Sequence, residues 1–322
     1  MNLAEITAYL GSDWSGLEEL IRSSLASGVK LLQSVNDSIL ASSGKRLRPM
    51  ISLLTARALG TPNIDTLRYA AACELLHNAT LMHDDVADES PERRGRPTVS
   101  ALFGSSAAVL IGDFWLSRAV DLILMSEDHE RVAGFFSRTL SDLAEGEMLQ
   151  MEKAASADTD EDAYFSIIHN KTASLFETAG KAAAASVGAS DGRFEAAKQF
   201  ALCFGMAFQI KDDILDYVGD TRLGKPVGLD IREQKITLPL LGAMRSSGRE
   251  AEIRAKIQAV HDHPEYCREI HSFVLENGGV EYASAKLDEY IGKACGALSV
   301  LPDSTARRYL EEIAHYNAFR QL

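Results

Sequence analysis

At 322 residues, 46% of them hydrophobic, the chain is long enough to bury a large core and too apolar to remain disordered. A formal net charge of −13 at pH 7 excludes the broad basic face that general nucleic-acid binding needs. The cysteines, Cys73, Cys203, Cys267 and Cys295, form no CxxC pair and indicate neither a zinc site nor a disulfide framework.

That cysteine usage points to a reducing, cytoplasmic setting. The N-terminal segment (MNLAEITAYLGSDWSGLEEL) lacks the basic and apolar regions of a signal peptide. No uncharged apolar run reaches the roughly 18 residues of a membrane span.

Read in chain order, the elements are helical. Lys45-Arg46-Leu47-Arg48 precedes Pro49 at a predicted helix start, where an anion would be favoured. Ile51, Leu54 and Ala58 recur at helical spacing before a stop at Gly60-Thr61-Pro62. A helical pattern then runs unbroken from Tyr69 to His83 into Asp84-Asp85-Val86-Ala87-Asp88. The polar loop that follows, Glu89 to Pro97, carries Arg93, Arg94 and Arg96.

No proline occurs between Pro97 and Pro226, and this Ala-, Leu-, Glu- and Met-rich stretch predicts helix throughout. Thr159 and Asp162 read as an N-cap and first-turn acid; Leu175, Phe176 and Ala179 continue the helical spacing. A further helical pattern from Phe200 to Lys211 leads into Asp212-Asp213-Ile214-Leu215-Asp216. Its loop, Gly219 to Gly228, carries Arg222 and Lys225. With no linker-like segment, residues 1–322 read as one all-α domain.

The two aspartate clusters carry the chemistry. Within each, the first and last aspartates share a helical face, with the middle one close beside them. Two carboxylates about 4 Å apart repel by roughly 4 kcal/mol at an effective dielectric of about 20. Gathering six of them calls for divalent cations, and all-oxygen ligation suits Mg²⁺ sharing its shell with a substrate's phosphates. The basic loops would hold the phosphate oxygens that the metals leave uncovered.

Other motifs fail on inspection. Gly219 to Lys225 imitates a P-loop, but Pro226 replaces its Ser/Thr and a helix precedes it. Asp158, Asp160 and Asp162 start like a calcium loop that lacks its glycine and closing glutamate. His83-Asp84 suggests a metal phosphohydrolase, but His77, His129 and His169 are too few around an acid-dominated motif. No GxSxG nucleophile motif is present.

These residues in this order resemble the bacterial trans-polyprenyl diphosphate synthases. The resemblance rests on Gly44 to Pro49 (GKRLRP), His77 to Thr98 (HNATLMHDDVADESPERRGRPT), Glu145-Gly146-Glu147, Lys171-Thr172, Gln209 to Asp216 (QIKDDILD) and Gly224 to Pro239 (GKPVGLDIREQKITLP). It implies the all-α isoprenoid synthase fold, a single large helical domain around a central cavity, and a homodimer. Asp84, Asp85, Asp88, Asp212, Asp213 and Asp216 would serve three Mg²⁺ ions, with Asp84, Asp88 and Asp212 as principal ligands. Lys171, Thr172, Gln209, Lys225 and Lys235 would form the catalytic set around an allylic diphosphate, helped by Arg93. Lys45, Arg48, His77 and Arg94 would hold isopentenyl diphosphate.

The implied reaction ionises the allylic diphosphate and adds a five-carbon unit, with no protein nucleophile. Product length would be set beside the helix that ends in Asp84. Ala79 lies five residues earlier, roughly 7.5 Å along the axis. With Ala79 and Thr80 small and Leu76 beyond them, the channel reads as deep enough for C30 to C50 products; Met148 and Met151 are candidate floor residues. Peripheral membrane contact on product release would follow.

A shorter-chain farnesyl or geranylgeranyl diphosphate synthase is the alternative. A class I terpene cyclase would carry an Asn/Ser/Glu metal motif in the second position, and a non-catalytic subunit would lack one aspartate motif. Arg96 in place of a usual Lys and Ala87 in place of a branched residue depart slightly from the family pattern. So does the weakly basic C-terminus (HYNAFRQL), which is given no phosphate role.

Overall fold

Most of the chain is helical because long stretches of strong helix formers are interrupted by glycine, proline and capping residues. The structure is a computed structural model that describes residues 2–41, 44–93, 95–219 and 228–319. Among the described residues, the only strands are Glu92–Arg93 and Arg96–Pro97, which pair antiparallel. The fold is therefore all-α, as the residue pattern predicts. Chain contacts divide it into two compact units.

The first unit comprises Met1–Ser137, Thr178–Ala197 and Val300–Leu310. Its centre is the Ile64–Ala87 helix, which packs against Ser12–Ser24, Leu47–Leu59 and Ser105–Leu124. Being enclosed, that helix buries a continuous run from Tyr69 to Leu76 rather than a single stripe. Asn63 opens it with a capping box closed by Thr66, and the Asn63 amide also donates to the Ser186 carbonyl at 2.6 Å. Buried Asn36 accepts from Trp115 Nε1 and donates to the Leu25 carbonyl, both at 2.8 Å, tying Lys30–Ala41 to Ser105–Leu124.

The second unit comprises Arg138–Glu177, Lys198–Ser299 and Glu311–Leu322. Here the Asp191–Val218 helix buries a cluster in which Phe176 lies 5.1 Å from Phe204, edge to face, with Phe200 and Phe208 beside it. The N-cap of Glu161–Ile168 is Asp160, whose carboxylate accepts from the Ala163 N–H at 2.8 Å. This corrects the assignment to Thr159, which is buried instead. An acid directly before the first turn outcompetes the hydroxyl one residue further away.

Leu238–Ser247 and Gly279–Leu298 meet closely in this unit. A Cβ on Gly279 would stand 2.2 Å from the Pro239 carbonyl oxygen and 2.8 Å from Val274 Cγ1. Backbone cannot yield as a flexible side chain can. Gly279→Ala is expected to destabilise the protein by about 1–3 kcal/mol, read as a lower urea midpoint with the slope unchanged.

Candidate metal and diphosphate site

Each aspartate motif sits at the C-terminal end of a long helix, the first in the first unit and the second in the second. In the first unit, Asp88 caps the Ile64–Ala87 helix, its N–H donating to the Asp84 carbonyl at 2.8 Å. Asp84 is half-buried, Asp85 buried and Asp88 exposed. Arg93 Nε donates to Asp85 Oδ1 at 2.7 Å, so the basic loop returns onto the motif it follows.

That loop is held in place. The Thr98 hydroxyl donates to the Ser90 carbonyl at 2.8 Å, and the Thr98 N–H to the Pro91 carbonyl at 3.0 Å. Gly95, with φ of 72°, supplies the left-handed residue between the two short strands. Arg94 lies outside the described residues.

His83 is engaged elsewhere. Its Nε2 lies 3.4 Å from Asp113 Oδ1 and 3.3 Å from the Val109 carbonyl, over Gly112, where any Cβ would collide with the ring. It joins Ser105–Leu124 to the motif helix. The first basic cluster starts the Leu47–Leu59 helix, with Lys45 exposed and Arg48 and His77 half-buried. Arg46 donates to Glu18 at 2.9 Å, while its Nε is buried without a hydrogen-bond partner among the described residues.

In the second unit the motif is linked to the predicted catalytic residues by hydrogen bonds. Asp213, 4% exposed, accepts from Tyr164 Oη at 2.6 Å and from Gln209 Nε2 at 2.8 Å. Gln209 Oε1 in turn accepts from Thr172 Oγ1 at 2.7 Å. Asp216 is differently occupied: its two carboxylate oxygens accept the Leu229 and Asp230 N–H groups, each at 3.1 Å, at the start of the short Leu229–Arg232 helix. Asp212 is half-buried.

Thr172 and Lys171 lie in a π-helical turn, His169–Ala173, between Glu161–Ile168 and Ser174–Ser186. Two glycines make room for it. A Cβ on Gly146 would stand 2.7 Å from Asn170 Cβ, and one on Gly205 would stand 2.6 Å from Ala173 Cα. Glu147, next to Gly146, pairs with Lys171 Nζ at 2.5 Å. The middle residue of Glu145-Gly146-Glu147 thus permits the approach, and the last residue holds the lysine.

Lys235 pairs with Glu233, and its N–H donates to the Asp230 carbonyl at 2.8 Å. Lys225 lies outside the described residues. Sequence reading missed Tyr164, which is 49 positions from Asp213. It also left Gly146, Gly205 and Asp230 without roles, and only the shared order of motifs gave Glu147 a place. Of the channel candidates, Leu76 and Ala79 are buried. Thr80 is half-buried, its hydroxyl donating to the His77 carbonyl at 2.9 Å. Met148 and Met151, expected as floor residues, are 65% and 56% exposed on the His129–Ser156 helix.

The electrostatics suit a divalent cation. Burial pushes the Asp213 carboxyl up to about 7, the Asp212 and Asp216 charges push the same way, and the Tyr164 and Gln209 hydrogen bonds oppose them. Asp216 is raised, chiefly by burial. Asp230 is raised well above the ordinary range by burial and then by Asp213 and Asp216. An all-oxygen set that resists ionisation on its own is what a bound dication would relieve.

This is a helical protein of the isoprenoid synthase fold, with carboxylate motifs ending two long helices and basic or amide groups bonded to them. The polyprenyl synthetase family model matches residues 29–274. The chain belongs to that family. It is 40% identical over 308 residues to the all-trans-nonaprenyl-diphosphate synthase (geranyl-diphosphate specific) of Rhodobacter capsulatus, covering 95% of this chain and 94% of that one. It is 38% identical to the octaprenyl diphosphate synthase of Escherichia coli strain K12, covering 98% of both. The crystal structure of a Caulobacter crescentus polyprenyl synthase, complexed with calcium and isoprenyl diphosphate, superposes with a TM-score of 0.91 at 34% identity, covering 100% of this chain and 98% of that one.

The raised Asp213 has a consequence for stability without metal. Between its ordinary value of 3.8 and about 7, the folded state keeps a proton that the unfolded chain has lost. This contribution is fully present at low pH and is lost as pH rises through about 7. The melting temperature of metal-free protein is expected to fall between about pH 4 and about pH 7, and Asp213→Asn is expected to flatten that fall.

Proposed function

We infer that this chain is a Mg²⁺-dependent trans-prenyltransferase that adds isopentenyl diphosphate to an allylic diphosphate and makes a long polyprenyl diphosphate, in the C30 to C50 range. The observation that carries the reading is near-full-length similarity to nonaprenyl and octaprenyl synthases, with both aspartate motifs and the isopentenyl diphosphate cluster present. We propose that residues 1–322 act as one catalytic domain.

Asp84, Asp88 and Asp212 are proposed as principal ligands of three Mg²⁺ ions. Asp85, Asp213 and Asp216 support them, in keeping with their bonds to Arg93, to Tyr164 and Gln209, and to backbone N–H groups. The calcium complex of the Caulobacter relative fits divalent binding in this family. Bound Mg²⁺ would neutralise the diphosphate as its bond to the allylic carbon breaks.

The chain's own cations supply the rest. Arg93, Lys171 and Lys235 are each held by a carboxylate, and we propose that the allylic diphosphate takes those carboxylates' place. Thr172 orients Gln209 through its hydroxyl, leaving the amide fixed against Asp213. Lys225 completes the set on motif grounds. Lys45, Arg48, His77 and Arg94 hold isopentenyl diphosphate so that its double bond attacks the allylic carbon. The proton lost afterwards goes to the released diphosphate. Water must be kept from the cation, or an alcohol forms.

The protein is proposed to act as a cytoplasmic homodimer. Leu102, Phe103, Leu110, Leu124 and Met125 are exposed on Val99–Phe103, Ser105–Leu124 and the residue after it, an apolar face suited to a second copy. Among the described residues, no helix is long and apolar enough to cross a membrane, and contact on product release would be peripheral.

The test is a product assay with Mg²⁺, farnesyl diphosphate and labelled isopentenyl diphosphate, sized by reverse-phase chromatography after dephosphorylation. A single long product is expected, incorporation should stop with EDTA, and Ala79→Phe should shorten the product. Products ending at C15 or C20 would refute the long-chain reading, and absence of incorporation would refute the synthase reading.

A further inference from the structure

Tyr164 is 2% exposed, and none of the segments that carry the family resemblance includes it. Its hydroxyl nevertheless makes a short bond to the second aspartate motif, donating to Asp213 Oδ2 at 2.6 Å. The other oxygen of Asp213 accepts from Gln209, which is held by Thr172. Tyr164 and Thr172 thus grip one helix at two points, Asp213 and Gln209, which are a single turn apart.

The π turn explains how one face makes both contacts. Eight residues of plain α-helix rotate by about 800°, leaving the two side chains roughly 80° apart. The wider turn at His169–Ala173 absorbs one extra residue, which brings them to within about 20° of one face. Gly146 and Gly205 leave the space this turn occupies. Tyr164 therefore depends on the same local distortion that sets out Lys171 and Thr172.

We propose that Tyr164 is a positioning residue for metal–diphosphate binding: it fixes Asp213 from the side opposite Gln209 and so holds the Asp212–Asp216 turn in its binding arrangement. This rests on the metal–diphosphate reading above. Tyr164→Phe keeps the ring against Phe165, 5.3 Å away edge to face, and removes only the hydroxyl. One oxygen of a buried carboxylate then loses its donor, and the carboxylate is no longer confined to one rotamer.

The test uses full-length protein with Mg²⁺ and inorganic diphosphate as probe. In wild type, Mg²⁺ at fixed diphosphate should raise the melting temperature, and Tyr164→Phe should shift the midpoint of that titration to about tenfold higher Mg²⁺. The Mg²⁺ requirement for elongation should move in parallel, while the KM for isopentenyl diphosphate stays within about twofold. Thr172→Val, which removes the other hydroxyl of the network, should shift the same midpoint in the same direction and serves if the first variant fails to fold.

An unchanged midpoint would overturn the inference. So would equal weakening toward both substrates accompanied by a lower melting temperature without ligand, because that is loss of packing alone. Absence of elongation by wild type would count against the synthase reading instead, and the Mg²⁺–diphosphate titration would still decide the role of Tyr164.

Discussion

Carboxylates gathered at the end of a helix repel one another, sit at the negative end of the helix dipole and lose solvation as the fold closes around them. This chain does so twice, and much of its local structure answers that cost. Asp85 is met by a guanidinium on the returning loop. Asp213 is met by a phenol and an amide. Asp216 accepts two N–H groups at a helix start, where negative charge is favoured. These partners hold one aspartate of the first motif and two of the second. Burial nevertheless leaves Asp213, Asp216 and Asp230 reluctant to ionise, a state that positive charge brought to the second motif would relieve.

The same economy governs the predicted catalytic residues. A continuous helix could not present both Tyr164 and Thr172 to Asp191–Val218, and a π turn needs space that side chains would deny. Gly146 and Gly205 give that space from two different helices. Glycine in a helix interior costs about 1 kcal/mol relative to alanine, a cost the close approach offsets. The glutamate beside Gly146 then reaches Lys171, so one short segment both admits the distortion and restrains the lysine within it.

Much of this was legible in the residues. Aspartate motifs, basic loops and stop signals are local patterns, and local patterns survive in sequence. The helix that ends in the first motif could be followed back to Tyr69 because its burial is continuous, and its N-terminal limit was set by a capping box at Asn63. Tyr164 could not be found in this way. Its link to Asp213 depends on a helix–helix register and on one extra residue in a turn, neither of which leaves a compositional trace. The cap falls at Asp160 rather than Thr159 because, of two good caps, the acid stands directly before the first turn while the threonine is buried. Met148 and Met151 follow the Glu145-Gly146-Glu147 segment, and a local pattern does not say which face of their helix is covered; both are largely exposed.

In the reading proposed above, the depth available to a growing chain is set beside the helix that ends in Asp84. From Tyr69 to Asp84 is roughly 22 Å of axis, with no aromatic side chain above Tyr69. Tyr69 itself is buried, its hydroxyl donating to Ser126 Oγ at 2.8 Å, so the ring is held by unit-one packing rather than poised to swing. The buried positions between, Ala70 to Ala72 and then Cys73, Leu75, Leu76 and Ala79, are small or aliphatic. In that reading, a short-chain enzyme built on this helix would carry a bulky stop near Ala79. The sequence provides none at that level. The absence of a wall where one would be cheapest to build fits the long products of the nonaprenyl and octaprenyl synthases to which this chain is similar over nearly its full length.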